Sequence, residues 1–514
     1  MYAASIQSTT GTLAGYARRV TSNGRPDMEI ILDDYEEGKC FTTFDPLSGR
    51  VEITAPHEAR FDEIQITLEG TIKTYVENLS PHSTRSKTTA RHNFLKLTMP
   101  IRESEYPQPR IAEAGRTYTY PFNFVIPDRL LPRSCSHGCT TEHVHDAHLQ
   151  LPPSMGDREL SGRDDMAPEM AKVNYAIRVK VVRNRERDGQ EMVLVEGSKK
   201  LYIVPAVAEE PPMNVGHADK DYVLSKTKSL KKGMFSGKLG KITVAAAQPS
   251  ALVLPSPSSS STVPDTTMST ITLRFDPHDS SSQPPRLGGL TTKIKASTFY
   301  GARPATQFPS HHEMVQQFES TRGVYDSSIT LSSRCVEAVS WTRHTPSPAY
   351  MRRNSASSTS SSDCSDETHG LEPAPKEGKP YYTAEIFVPI TLPACKTWIP
   401  TFHSCILSRM YIIDMTLTIH TPGTGVPAST VSLHLPVQIA AMGHNTERPA
   451  LTEEEEAAEL AGVDEFLRPR VIEMPSPELV GNSVLGARAG QRTELPPNYD
   501  DFASMPRHSV VSRG

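Results

Sequence analysis

Residues 118–131 read YTYPFNFVIPDRLL, and this stretch decides the fold class. Tyr118, Tyr120, Phe122 and Phe124 occupy every second position, which is the spacing of a strand that turns one face to an apolar core and the other to water. Aromatic residues favour strands, and the proline that follows them ends the run. The sequence therefore predicts a half-buried β-strand here.

The same alternation extends on both sides, from Glu29 to Pro205, with turn residues between short apolar runs and almost no helical periodicity. A sheet must bury its apolar face against another sheet, so many strands without intervening helices predict a sandwich or barrel. The other predicted strands of this half contain Val51 and Ile53, Ile64–Ile72, Phe94–Leu97, Val173–Arg183 and Met192–Val204.

The segment Ala206–Pro212 (AVAEEPP) predicts a hinge, because consecutive prolines cannot continue a central strand. A second strand-rich block follows it and is long enough for another sandwich. Its predicted strands are Lys241–Ala245, Ala251–Leu254, Ile271–Phe275, Leu290–Phe299, Ser328–Leu331, Thr383–Leu392, Met410–His420 and Val431–Ile439.

Polar, low-complexity sequence interrupts the second block near 255–264 and 345–378, and an acidic tail occupies 443–514. These stretches carry too little apolar surface to offset the entropy of ordering, so we expect disordered insertions and a mostly disordered tail. Glu453–Leu467 is either a capped helix or a marginal, solvated one. The predicted organisation is a first domain at 25–207, a second at 220–442 and the tail.

Composition narrows the function. The chain has 514 residues, a formal net charge of −5 and few aromatic residues, which argues against a broadly basic nucleic-acid binder. Its first residues are polar, and no apolar run is long enough to span a bilayer, so we expect a soluble, cytoplasmic protein. Free thiols in a reducing compartment are expected for the seven scattered cysteines: Cys40, Cys135, Cys139, Cys335, Cys364, Cys395 and Cys405.

Several segments of the sequence resemble the arrestin-like family, and in particular its fungal alpha-arrestin branch. The resemblance covers about residues 25–442 and implies two tandem immunoglobulin-like β-sandwiches, the arrestin fold. Such a fold is an elongated, concave scaffold that engages membrane cargo. The segments that carry the resemblance are Tyr118–Leu131, Leu151–Gly156 (LPPSMG) leading to Val173–Val182, Phe41–Thr54 with Ile64–Gly70, Pro284–Phe299 and Leu392–Thr418.

The sharpest functional motif is a PPxY peptide in the tail, formed by Leu495, Pro496, Pro497, Asn498 and Tyr499. Adjacent prolines pre-set the polyproline II conformation, so little entropy is lost when they enter the aromatic groove of a WW domain and the tyrosine enters the neighbouring pocket. A WW-bearing HECT-type ubiquitin ligase tethered in this way would act almost intramolecularly on whatever the sandwiches hold.

With the resemblance, this motif predicts a non-enzymatic adaptor that brings the ligase to plasma-membrane transporters or receptors and promotes their ubiquitin-dependent endocytosis. We expect it to be cytoplasmic and recruited to the plasma membrane or endosomes, with no cofactor and no nucleic acid. The alternative is a non-catalytic scaffold in endosomal sorting or signalling that recruits no ligase. A second proline site, Ser347–Tyr350 (SPAY), lacks the first proline and is expected to be loop sequence.

Enzyme signatures fail on inspection, because Gly233–Leu239 has the wrong glycine spacing for a phosphate loop and His312–Gln316 lacks the second histidine of a zinc protease. Regulation is expected instead. Ser355 and Ser509 follow basic residues and are candidate phosphosites, at which phosphate would add about −1.5 to −2 charges and create a site for a phosphoserine-binding regulator.

A lysine-rich stretch lies between the predicted sandwiches, and three interpretations remain open: an ordinary solvated linker, a surface attracted to anionic lipid headgroups, or a set of ubiquitin acceptors. Its members are Lys226, Lys228, Lys231, Lys232, Lys238 and Lys241.

The most metal-like cluster in the sequence has thiol and imidazole side chains within one short segment, which the resemblance places in an edge loop of the first sandwich. Such groups can surround zinc tetrahedrally. Their spacing matches no standard zinc finger, so we expect a polar loop without metal, with five weak candidate ligands: Cys135, Cys139, His143, His145 and His148.

Overall fold

The computed structural model describes residues 27–77, 87–185, 187–216, 218–233, 237–257, 266–316, 321–345, 379–421 and 427–444. These residues belong to one compact unit that spans Met1–Thr446, and a second unit spans Glu447–Gly514. The predicted helix at 453–467 and nearly all of the two predicted insertions lie outside the described residues.

The first half of the compact unit is built from antiparallel strands in two main sheets. One sheet has the order β1-β3-β8 and the other the order β2-β10-β9-β5-β6, in which β2 alone runs parallel to its neighbour; β4 pairs with β7. The strands are β1 (Asp27–Leu32), β2 (Cys40–Phe41), β3 (Pro46–Thr54), β4 (Ala59–Arg60), β5 (Glu63–Glu77), β6 (Lys87–Met99), β7 (Ile111–Ala112), β8 (Thr117–Val125), β9 (Ala171–Asn184) and β10 (Glu191–Ile203).

Strand β8 confirms the alternation from which the fold class was predicted. Tyr120, Phe122 and Phe124 are buried, Tyr118 is half-buried, and the residues between them are exposed. The buried aromatic side chains meet those of the five-stranded sheet, such as Ile66 on β5, in one hydrophobic cluster. Burying the apolar faces of two sheets against each other makes this half a β-sandwich.

The second half repeats the arrangement around its own hydrophobic cluster. Its sheets have the orders β11-β12-β14-β18-β17 and β16-β15-β20-β19, with β21 also paired to β20, and β13 runs parallel to β22. The strands are β11 (Ser225–Lys231), β12 (Lys238–Ala246), β13 (Leu252–Leu254), β14 (Thr267–Pro277), β15 (Arg286–Gly301), β16 (Arg322–Cys335), β17 (Thr342–His344), β18 (Tyr381–Ile390), β19 (Phe402–His403), β20 (Leu407–His420), β21 (Ser429–Val437) and β22 (Ile439–Ala441).

Helices are few and short in the described part of the chain. The three α-helices are α1 (Glu142–His148), α2 (Arg158–Ser161) and α3 (His311–Gln316), and 3-10 turns occur at Glu103–Glu105 and Pro132–Ser134. The architecture is therefore all-β, as the sequence predicts.

The two sandwiches adjoin closely. Ile399, Phe402 and Cys405, which lie between β18 and β20 of the second sandwich, pack into the hydrophobic cluster of the first sandwich. Between the halves, the hydroxyl of Thr74 on β5 donates a hydrogen bond of 2.6 Å to the carbonyl of Gly301 at the end of β15. The interface is thus formed by both apolar packing and buried hydrogen bonds.

The segment predicted to be a hinge is hydrogen-bonded to both sandwiches. The backbone of Val207 exchanges two hydrogen bonds of 3.0 Å with Ala441, and the N–H of Ala206 donates to the hydroxyl of Thr43 at 2.9 Å. The N–H of Glu210 donates to the side-chain oxygen of Gln438 at 2.8 Å. The prolines do exclude a strand here, but the connection is held in place; the domain boundaries at 207 and 220 stay predictions.

Candidate functional site

The predicted ligase-binding peptide lies outside the described residues, and so do both candidate phosphosites. This applies to Leu495, Pro496, Pro497 and Tyr499, and to Ser355 and Ser509. Their assignments stay predictions.

The linker interpretation of the lysine-rich stretch is wrong, because its residues form a β-hairpin of the second sandwich. Strand β11 is the edge of its five-stranded sheet and pairs with β12. Threonine and serine alternate with the lysines, and Gly233 and Gly237 flank the turn, which is the pattern of a hairpin. Lysines on an edge strand also oppose pairing with another chain, which gives them a structural reason to be there.

The lysines do not share one face of the hairpin. Lys226 and Lys228 lie on the same face of β11 as the buried Leu230, whereas Lys241 pairs with Ser229 on the opposite face. The ammonium of Lys228 donates to the carbonyl of Thr430 at 3.0 Å. Any acidic partner would meet these charges on two sides of the strand pair, so the lipid and ubiquitin interpretations both stay open.

The ammonium of Lys232 donates to the carboxylate of Asp279 at 2.8 Å. This hydrogen bond holds the pKa of the Asp279 carboxyl below its usual value. Because Asp279 is fully exposed to water, the pair is an ordinary surface contact.

Three of the five candidate metal ligands converge. The Sγ atoms of Cys135 and Cys139 are 3.9 Å apart, and the Nδ1 atom of His148 lies 3.6 Å from the first and 3.7 Å from the second. Cys135 follows the 3-10 turn at 132–134, and His148 ends helix α1, whose N-terminus is capped by the hydroxyl of Thr141. The predicted edge loop thus contains a short helix that the sequence pattern did not indicate.

The other two candidates do not join this group. His143 is exposed, and its Nε2 atom lies 3.6 Å from the carboxylate of Glu210, while its ring meets that of Phe308. His145 is half-buried on the last turn of α1. His143 lies five positions before His148 and therefore on another side of the helix, whereas His145 lies three positions before it, one turn away on the same side.

The structure adds two residues that sequence reasoning missed, His137 and Cys405. Donor atoms of Cys135, His137, His148 and Cys405 all lie within 4.8 Å of one another. His137 stands between the two cysteines in the sequence and could have been included from spacing alone. Cys405 is far away along the chain, in the turn between β19 and β20, and only the fold brings it here.

Burial sets the protonation of this group. It lowers the pKa of His148 to about 4 and raises the pKa of the Cys135 thiol to about 11. Burial also lowers the pKa of the neighbouring His403 to about 3. At neutral pH, without a bound ion, the Cys135 thiol and the His148 imidazole are therefore uncharged.

A polar contact region connects loop 156–167 of the first sandwich with the second. Lys396 forms an ion pair with Asp164, and the guanidinium of Arg163 donates to the carbonyl of Ala394 at 2.5 Å. Arg409 is fully buried and donates to the carbonyl of Asp165 at 3.3 Å. Both sandwiches contribute to this region, so it fixes their relative position rather than forming an open binding site.

A cavity of about 750 Å³ opens beside the connection between the sandwiches. Its walls include Pro212, Tyr222, Phe308, His403 and Met410. The walls are predominantly apolar, but they also include charged side chains such as those of Glu210, Lys220 and Asp221. Burial raises the pKa of Tyr222 and lowers that of His403, so these two groups are neutral at physiological pH.

Comparison with known proteins identifies the fold. The family model of the N-terminal domain of arrestin (or S-antigen) matches residues 28–195, which run from β1 into β10. No curated protein matches the chain. The chain therefore has an all-β arrestin fold, and the match supports an arrestin-like adaptor or scaffold in general terms. Within the described residues, no helix has both the length and the apolar character needed to cross a membrane.

Proposed function

We propose that this protein is a non-enzymatic adaptor of the alpha-arrestin, fungal type. In this proposal the sandwiches hold a plasma-membrane transporter or receptor, the PPxY peptide binds a WW-domain HECT-type ubiquitin ligase, and ubiquitin-dependent endocytosis of the cargo follows. The observation that carries the proposal is the combination of a match to the arrestin N-terminal domain at 28–195 with a PPNY sequence at 496–499, which follows the described residues.

The sandwiches and the PPxY peptide have separate roles in this proposal. A double sandwich whose halves are joined by buried contacts, including the Thr74 hydrogen bond, presents a large surface of fixed shape on which a client can be recognised. When the ligase and the client bind to one chain, the effective concentration of each near the other rises. The ligase then modifies the client, and the adaptor needs no catalytic residue of its own.

The acidic residues around the peptide also favour binding of a WW domain. Glu494, Asp500 and Asp501 surround the peptide, so a WW domain with a basic surface would be attracted to it. The adaptor is proposed to work in the cytoplasm and to be recruited to the plasma membrane or endosomes. Contact of the β11–β12 hairpin with anionic lipid, and a phosphoserine-binding regulator at Ser355 or Ser509, are further parts of the proposal.

The test is capture of the full-length chain on immobilised WW domains of HECT-type ligases. We expect Tyr499→Ala to weaken capture at least about tenfold, because the tyrosine fills the pocket beside the proline groove. Tyr350→Ala is the matched control: it removes the tyrosine of the SPAY sequence, which lacks the first proline, and should leave capture unchanged.

Two results would count against ligase recruitment. One is failure of the wild-type chain to bind any of these WW domains, and the other is equal capture of the wild type and Tyr499→Ala. Either result favours the alternative, an arrestin-fold scaffold in endosomal sorting or signalling, which needs the double sandwich but not the peptide.

A further inference from the structure

The Cys/His group at the junction of the sandwiches has the dimensions of a metal site. In a tetrahedral zinc site with Zn–S bonds of about 2.3 Å and Zn–N bonds of about 2.0 Å, neighbouring sulfur atoms are about 3.8 Å apart and sulfur and nitrogen about 3.5 Å apart. The three measured distances among Cys135, Cys139 and His148 are 3.9, 3.6 and 3.7 Å. These three donor atoms therefore match one triangular face of such a tetrahedron.

A fourth donor is available from the second sandwich. The Sγ atom of Cys405 lies within 4.8 Å of the donor atoms of Cys135 and His148. His137 is the competing donor: its Nε2 atom lies 3.3 Å from the Sγ atom of Cys135, and its Nδ1 atom lies 3.2 Å from the carbonyl of Gly138 and 4.0 Å from the Sγ atom of Cys139. Cys405 is only 3% exposed and comes from the second sandwich, and it completes a set of three thiolates and one imidazole, so we assign it the fourth position.

Ordinary packing does not account for this arrangement. A buried free cysteine behaves as a small apolar side chain, and Cys135 and Cys405 do belong to the hydrophobic cluster of the first sandwich. Apolar packing gives no reason for donor atoms of Cys135, His137, His148 and Cys405 to lie within 4.8 Å of one another, with the Sγ atom of Cys139 3.9 Å from that of Cys135. A disulfide between Cys135 and Cys139 does not account for it either, because its sulfur atoms would be about 2.05 Å apart.

Independent contacts hold the ligand-bearing segments together. The N–H and the hydroxyl of Thr140 both donate to the carbonyl of Thr306, at 2.8 and 3.0 Å, and the N–H of Ala305 donates to the carbonyl of Cys405 at 2.6 Å. The hydroxyl of Ser134 donates to the carbonyl of Phe94 on β6 at 2.9 Å. Donors from both sandwiches are thus positioned by the surrounding backbone before any ion binds, as a structural metal site requires.

We propose that Cys135, Cys139, His148 and Cys405 bind one zinc ion that cross-links the two sandwiches. Three thiolates and one imidazole in a tetrahedron form a ligand set typical of structural zinc. The ion would connect the segment before helix α1 and that helix itself to the turn between β19 and β20. This inference departs from the expectation of a polar loop without metal, and it does not depend on the proposed ligase recruitment.

The first test is the metal content of the full-length chain, purified from cells grown with added zinc and measured by inductively coupled plasma mass spectrometry. About one zinc ion per chain is expected. Loss of a residue that hydrogen-bonds a ligand typically weakens zinc binding about 10–100-fold, so loss of a ligand itself in Cys139→Ser, His148→Asn or Cys405→Ser should weaken it at least about 100-fold. The matched controls are His145→Asn, on the same helix, and Cys335→Ser, at an exposed cysteine; both should retain the ion.

A second test needs no variant, which covers the case in which a ligand variant fails to fold. The wild-type chain is treated with a maleimide before and after removal of zinc by a chelator, and the added mass is counted. Chelation should make the half-buried Cys139 reactive, because its sulfur is bound as a zinc thiolate beforehand, whereas Cys135 and Cys405 are buried and stay protected by the fold. Cys335 and Cys395 are exposed and should react in both states.

Several outcomes would overturn the proposal: no stoichiometric zinc in folded wild-type protein, no change in thiol reactivity on chelation, or an intact mass that reveals a disulfide among these cysteines. Zinc retained by Cys405→Ser but lost by His137→Asn would overturn the assignment of the fourth ligand. Cobalt substitution gives a spectroscopic check, since tetrahedral cobalt bound to thiolates has visible and near-ultraviolet bands that a site with only oxygen and nitrogen ligands lacks.

Discussion

Replacing Thr74 with valine changes the interface between the sandwiches at a single buried atom. Thr74 is 3% exposed, and its hydroxyl donates to the carbonyl of Gly301 at 2.6 Å, which is near the short end of the range for O–H···O hydrogen bonds. Valine has almost the same shape and favours strands, so the backbone of β5 has no reason to change. The substitution therefore isolates the hydrogen bond between the sandwiches.

The cost follows from two contributions. Losing a buried hydrogen bond while its acceptor stays buried costs about 1–3 kcal/mol. A methyl group also cannot approach a carbonyl oxygen much closer than about 3.3 Å, so the new methyl of valine must move about 0.7 Å away from Gly301, which adds about 1 kcal/mol of strain. We expect the free energy of unfolding to fall by about 2–4 kcal/mol.

Urea unfolding followed by tryptophan fluorescence measures this loss. Both tryptophans of the chain, Trp341 and Trp398, pack against the hydrophobic cluster of the second sandwich, so they report on the half that contains Gly301. Thr74→Ser keeps the hydroxyl and removes one buried methyl, which costs about 1 kcal/mol. Valine should therefore be the more damaging replacement.

A second control is Thr117→Val, whose hydroxyl pairs with that of Thr54 at an exposed position and whose loss should change stability by less than about 0.5 kcal/mol. The reasoning is refuted if Thr74→Val is as stable as the wild type, or if Thr74→Ser is less stable than Thr74→Val.

Two further predictions concern packing and pH. A Cβ added at Gly70 would lie 2.4 Å from the ring of the buried Phe94, so Gly70→Ala should reduce the free energy of unfolding by about 1–3 kcal/mol. A Cβ added at Gly237 has no atom within 4 Å, so Gly237→Ala should change that free energy by less than about 0.5 kcal/mol. Equal effects of the two substitutions in urea unfolding would contradict the overpacking argument. The hydrogen bond from Lys396 holds the pKa of the Asp164 carboxyl below its ordinary value of 3.8, so the unfolded chain binds a proton at this carboxyl more readily than the folded protein does. The ion pair therefore stabilises the folded protein above pH 3.8 and loses its effect as the pH falls through the lowered pKa. The difference in unfolding free energy between wild type and Lys396→Gln should accordingly stay constant between about pH 6 and 8 and narrow below about pH 4, and a difference unaffected by acid would be inconsistent with this pairing.

The lysine-rich stretch shows where local reading of the sequence goes wrong. Its position between two predicted sandwiches and its charge suggested a linker, yet Ser225–Lys231 and Lys238–Ala246 are strands. The alternation of lysine with threonine and serine carries the strand period, but an edge strand buries few side chains, so the apolar half of the signal is weak. Of the residues of β11, only Leu230 is buried.

The Cys/His group shows a different limit. Cys135, Cys139 and His148 lie within one short segment, so their spacing made them candidates, and the structure brings these three together. His143 and His145 looked equivalent to His148 in the sequence, but in α1 His143 is exposed on another side of the helix and His145 lies one turn away from His148. Cys405 carries no local signal that connects it with Cys135.

The sequence by itself determined the strands and the fold class, because the alternation of Tyr118, Tyr120, Phe122 and Phe124 is a local property of side chains spaced along an extended backbone. It also supplied the PPxY peptide, whose chemistry depends on adjacent residues alone. Only the tertiary structure decided which distant residues meet: Thr74 with Gly301, and Cys405 with His148. Those contacts result from the packing of one sandwich against the other. No local pattern in the chain encodes the distance between residues that are far apart in sequence.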